Sequence, residues 1–195
     1  MQDWPVLNLV GPLTRCIAYD RAGLGWSDPP SSLPTYDGMA QDLDALLVAA
    51  GEAPPFVFVG SSFGGLLVRA YCRRFLARVA GVVIVDASDE LKYFETMRRM
   101  KTLHENELRS SISAAKRGDL RREAEPAIRR ARGLDETTKE AMLHVLDLPG
   151  HFEASLSELQ AIDRATPRLT ARWWDTASAS LLASKTSTGC RNIDR

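Results

Sequence analysis

Phe56-Val57-Phe58-Val59-Gly60-Ser61-Ser62-Phe63-Gly64-Gly65 is the stretch on which the fold turns. Its first four residues form a continuous apolar run, and Pro54-Pro55 just before them bars a helix from entering it. Residues 66–75 then carry Leu67, Ala70 and Tyr71 on one helical face. Strand, tight glycine turn, helix is the order this reading predicts. A serine hydroxyl is a poor nucleophile unless a base and a substrate can reach it together. A sharp strand-to-helix turn lifts it above the sheet edge, provided the positions two before and two after are small. For Ser62 those positions are Gly60 and Gly64, with Gly65 beyond; for Ser61 they are Val59 and Phe63, which do not fit. Ser62 is therefore the candidate nucleophile. The same turn puts the Phe63 N–H at a helix N-terminus, where it can donate to a developing oxyanion with the helix dipole behind it. The competing reading is a glycine-rich βα turn without chemistry, or a phosphate loop. The segment has neither the Lys-Ser/Thr of a P-loop nor the G-x-G-x-x-G spacing of a dinucleotide site.

Outward from this turn the pattern alternates. Arg15-Cys16-Ile17-Ala18-Tyr19 is a short β-prone run that ends in a glycine-rich turn. Met39, Leu43, Leu46, Leu47 and Ala50 recur at three- and four-residue spacing across residues 36–50, a helix closed by Gly51. Val82-Val83-Ile84-Val85 is a third apolar run. Continuous β-branched runs fit parallel strands buried on both faces, so an α/β layer fold is expected. Between residues 90 and 164 the pattern is helical, with stripes at Met97, Met100, Leu103 and Leu108, at Met142, Val145 and Leu146, and at Leu156, Leu159 and Ile162. Gly118, Gly133 and Pro149-Gly150 punctuate it. Arg129, Arg130 and Arg132 form a basic cluster that reads as a solvated face. From residue 166 the sequence is rich in Ser, Thr and Ala and reads as irregular or disordered. The expected organisation is a core at 1–89, a helical insertion at 90–165 and a tail at 166–195.

Composition narrows the class. In 195 residues, 45% are hydrophobic and 26% charged, and 25 basic side chains balance 25 acidic ones. That balance offers nothing to a nucleic acid or an anionic membrane. No apolar run reaches the roughly 20 residues of a spanning helix, and the first ten residues lack the features of a signal peptide. Cys16, Cys72 and Cys190 are odd in number and widely spaced, which points to reduced thiols and a cytoplasmic location. No metal or cofactor is expected.

Tyr19-Asp20-Arg21-Ala22-Gly23-Leu24-Gly25-Trp26-Ser27-Asp28 resembles the segment that leaves the fourth strand in esterase-like α/β-hydrolases, which stands about 35 to 40 residues before the nucleophile. With the Gly60–Gly64 pentapeptide at that distance, the chain is similar to this family from Trp4 to about Asp163. The resemblance implies a three-layer α/β-hydrolase sheet, with residues 15–19, 56–59 and 82–85 as strands four to six. It implies that the helices at 90–164 are a cap, whose methionine-bearing face would shape an acyl or alcohol pocket; core packing explains the same methionines.

The implied chemistry is hydrolysis of a carboxylic ester in a small-molecule substrate. It requires a histidine base, an acid and a second oxyanion donor. None of these is identified here. His104, His144 and His151 all read as surface or helix-end residues. Asp86, ending the sixth strand, is a candidate acid or else a turn former. Asp20 reads as a structural turn residue, paired or hydrogen-bonded near Arg21, rather than as a catalytic acid. Two further functional readings stand beside the esterase: a catalytically incomplete piece of such a hydrolase, and a peptidase or C–C hydrolase of the same fold.

Overall fold

The computed structural model describes residues 4–85 and 90–161. Nine helices and strands of regular length are found in this range. In chain order they are α1 (Trp4–Val10), α2 (Tyr36–Ala49), β1 (Phe56–Ser61), α3 (Phe63–Phe75), β2 (Val79–Val85), α4 (Glu90–Lys116), α5 (Asp119–Arg130), α6 (Glu136–Leu146) and α7 (Pro149–Ala161). The chain divides into two compact units. Of the described residues, one gathers 4–33 and 100–160, the other 34–85, 90–99 and 161.

The second unit contains the strand–turn–helix. β1 and β2 pair in parallel, with Val59 opposite Val83 and Ser61 opposite Val85. A parallel pair requires a crossover, and α3 supplies it, packing on both strands. α2 packs on α3 in turn. Tyr36, Met39, Ala40, Leu43 and Leu47 come inward from α2, while α3 contributes Leu66, Leu67, Val68, Ala70, Tyr71 and Cys72. Tyr71 and Leu66 are fully buried, and each such side chain stabilises the unit by about 2 kcal/mol. α2 starts where Thr35 caps it, accepting from the Gly38 N–H at 3.0 Å. It stops where Gly51 takes a φ of 71° and the Glu52 N–H returns to the Leu47 carbonyl. The expected stripe is confirmed at Met39, Leu43 and Leu47, whereas Leu46 and Ala50 are exposed.

Two expectations about the sheet are corrected. Residues 15–19 form no strand; among the described residues the sheet has two strands. A strand exists by its ladder, and β-prone composition alone does not supply one. The expectation of strands buried on both faces also fails. Val57 and Val59 are 64% and 66% exposed, and Val83 and Val85 stand beside them on the same side. Period-two alternation sends Phe58 toward α3, where its ring meets Tyr71 at 4.5 Å, and turns the valines to the other face.

The first unit is helical over residues 100–160. Gly118 (φ 73°) breaks the chain between α4 and α5, and Gly133 (φ 80°) between α5 and α6. Asp135 caps α6 by accepting from the Thr138 N–H at 2.7 Å. Pro149 opens α7, where its missing N–H costs nothing. α5 and α6 are tied by Arg129 to Glu140 (2.6 Å) and Arg121 to Asp147 (2.9 Å). Arg129 of the basic cluster thus serves an intramolecular network. Leu143, Val145, Ala115 and Ala154 are buried. Met100 and Leu103 of the expected α4 stripe are instead exposed. The Met97 side chain, Ile162, Cys190 and the tail at 166–195 lie outside the described residues.

Candidate active site

Ser62 stands between β1 and α3 as the residue that precedes the helix. Its φ is 49° and its ψ is −117°, and it is the one non-glycine residue with positive φ among the described residues. That conformation costs an L-residue on the order of 1–3 kcal/mol and persists only where the surroundings enforce it. Here they do. The Ser62 N–H donates to the Val85 carbonyl at 3.2 Å, which carries the sheet ladder one residue into the turn, and the Gly65 N–H donates to the Ser62 carbonyl at 3.0 Å. The residue is exposed and its side chain makes no capping bond to the helix. A serine at that position ordinarily caps; this one does not.

The two flanking glycines are small for different reasons. A Cβ on Gly60 would lie 2.7 Å from the Gly64 carbonyl oxygen and 2.9 Å from the Gly65 nitrogen. Both are backbone atoms, so nothing can move aside. A Cβ on Gly64 would meet nothing within 4 Å. Gly64 matters for where its backbone runs, under Gly60. Phe63 begins α3, so its N–H lies in the first turn, and its ring packs on Tyr36 at 5.5 Å.

Beneath the turn, polar anchors hold α3 in place. The Tyr71 hydroxyl donates to Asp44 at 2.7 Å, and Arg78 bonds the same carboxylate at 3.0 Å. Burial and the Asp44 hydrogen bond raise the Tyr71 pKa. Arg73 pairs with Asp37 at the exposed end of α2. Cys72 is buried, which pushes its thiol up to about 11 and keeps it protonated. Cys16 is also a free thiol, but half-buried.

The other sequence candidates fall elsewhere. Asp86 follows directly on β2 but lies outside the described residues. The three histidines belong to the first unit, and two of them have ring partners there. His104 lines a wide-mouthed hollow of about 360 Å³ with Glu107, Leu108, Ser111, Phe152 and Leu159. His144 stacks on Trp26, with ring centroids 5.4 Å apart. His151 accepts from the Gly25 N–H through Nδ1 at 3.1 Å. Sequence reasoning missed both the His144 and the His151 partnership. It also missed the main one of Arg21, whose guanidinium grips Glu158 with two bonds of 2.7 and 2.8 Å. Burial works against that charge, but the Glu158 hydrogen bond and charge outweigh it and raise the Arg21 pKa. Asp20 is the turn residue it was expected to be. Its backbone carbonyl accepts from Ser27 Oγ at 2.6 Å and its carboxylate from the Trp26 N–H at 3.4 Å.

The sequence profile of the alpha/beta hydrolase fold matches residues 13–134, well over half of the chain. The chain belongs to the α/β hydrolase fold family. An AB hydrolase superfamily protein of Gibberella zeae is 34% identical to this α/β hydrolase over 97 residues, 47% of this chain and 30% of that protein. A probable transporter of Hormonema carpetanum is 36% identical over 92 residues, 45% of this chain and 13% of its own length. A solved structure of a thermophilic esterase from Thermogutta terrifontis aligns with 73% of this chain and 52% of that one, at 22% identity and a TM-score of 0.44. This α/β hydrolase chain spans less than a third of the length of the curated relatives it matches. Among the described residues, no helix is long and apolar enough to cross a membrane.

Proposed function

We propose that this α/β hydrolase chain carries the nucleophile of a serine hydrolase acting on a carboxylic ester of a small-molecule substrate. The observation that carries the reading is the backbone of Ser62, a strained and exposed serine between a parallel strand and a helix. Strain at a residue with no packing role is a recurrent mark of functional positions. In the proposed reaction Ser62 Oγ attacks the ester carbonyl carbon while a base removes its proton. The oxygen becomes an oxyanion, stabilised by the Phe63 N–H and the positive end of α3. The alcohol then leaves with that proton, and water releases the acid from Ser62 in the second half. Gly60 and Gly64 shape the turn, and the helices of residues 90–161 serve as the cap. The free thiols Cys16 and Cys72 support a cytoplasmic location as part of the same reading.

The test is labelling by a fluorophosphonate. The chain should label at Ser62, and the Ser62→Ala variant should not. Turnover of short p-nitrophenyl esters should follow the label; turnover of an amide but no ester would favour the peptidase-like member of the fold. A second reading has its own support, because two of the three histidines, His144 on Trp26 and His151 on Gly25, are engaged within the first unit. In that reading the turn is retained without a working base. Absence of both labelling and turnover would establish it.

A further inference from the structure

The turn at residues 19–28 meets α7 through a contact that only one protonation state can make. The Gly25 N–H donates to His151 Nδ1 at 3.1 Å. An imidazole nitrogen accepts only when it carries no proton, so the bond needs a neutral ring with Nδ1 bare. Gly25 is held at a φ of 52°, and a Cβ there would fall on the Asp20 carboxylate. The His151 ring stands edge-on to Phe152 at 5.2 Å, and the His151 carbonyl accepts from Ser155 Oγ at 2.9 Å. A second fastening lies close by in the sequence of both elements: Arg21 of the turn on Glu158 of α7.

We propose that His151 is a pH-sensitive latch, whose neutral ring holds the Gly25 end of the turn on α7 and whose protonation releases it. The charged groups of the described residues that act on the ring come from both elements. Asp20 of the turn and Glu158 of α7 favour the imidazolium, and Arg21 opposes it. Burial opposes it most, so the docked ring titrates below the ordinary histidine value of 6.5. The released ring binds a proton more readily than the docked one, so docking is complete above the ordinary value and weakens as the pH falls through the lowered one. Protonation turns Nδ1 from acceptor into donor, facing an amide that is itself a donor. The Arg21–Glu158 pair is a separate fastening that does not involve the imidazole, so release is confined to the Gly25 end.

Amide NMR of the full chain, titrated from about pH 8 to about pH 5, reads the latch directly. The Gly25 amide proton should move upfield with the same midpoint as the His151 ring, below 6.5. Its exchange protection factor should fall severalfold, while amides of β1 keep theirs. In His151→Asn the side-chain oxygen takes the place of Nδ1 and cannot be protonated. That variant should keep the Gly25 amide protected and lose the pH dependence. Three results would each overturn the proposal: a Gly25 amide indifferent to the His151 titration, a ring that titrates above 6.5, or acid release that persists in His151→Asn.

Discussion

The turn at residues 60–65 and the turn at residues 19–28 are both built on glycines, yet they place strain and polarity differently. In the first, the positive φ falls on Ser62, whose side chain is exposed and caps nothing. In the second, positive φ falls on Gly23 and Gly25, where it costs little, and the polar side chains are occupied. Asp20 accepts from Trp26, Ser27 donates to the backbone, and Arg21 holds Glu158. The comparison teaches how to tell a turn that holds from a turn that presents. Glycine motifs alone do not separate them; the residue that bears the strain does.

The comparison can be broken most severely at Gly60. Gly60→Ala drives a methyl into the backbone of Gly64 and Gly65, and should cost about 3 kcal/mol in urea unfolding. Gly64→Ala, which enters open space inside a helix, should shift stability by no more than about 1 kcal/mol. Equal penalties at the two sites would refute the steric account of the turn. Next in size is Glu158→Gln, which leaves the Arg21 guanidinium half-buried with a neutral partner. It should cost about 2 kcal/mol, seen as faster hydrogen exchange in the turn at 19–28 and not in β1. The smallest effect has the opposite sign. Ser62→Gly removes the hydroxyl but relieves the backbone, and should stabilise the chain by about 1 kcal/mol while abolishing fluorophosphonate labelling. A destabilised Ser62→Gly would mean that the positive φ carries no strain.

What was legible in the sequence was local. The Gly60-to-Gly64 spacing announced the elbow geometry, and Gly51 closed α2 through chemistry that acts within a few residues. The run at residues 15–19 misled because strand propensity reports a side chain's fit to a pleated surface, and a surface requires a neighbouring strand. The valines of β1 and β2 misled for a related reason. Val57 and Val59 look like Phe58 in sequence, and only the position of α3 makes one face buried and the other exposed. The partnerships of His151, His144 and Glu158 were invisible because they reach across more than a hundred residues to a segment with which they share no periodicity.

That separation also orders events in time. Every described element that supports Ser62 comes from residues 36–85, a contiguous stretch whose pieces meet after short loops close. Arg21 and Glu158 are 137 positions apart, and the entropy of joining chain ends grows with the length between them. Topology of this kind sets folding speed. The elbow should therefore be assembled before the turn at 19–28 finds α7, and pulse-labelled exchange should protect the β1 amides ahead of Gly25. A newly made chain would present its serine first and fasten its histidine last.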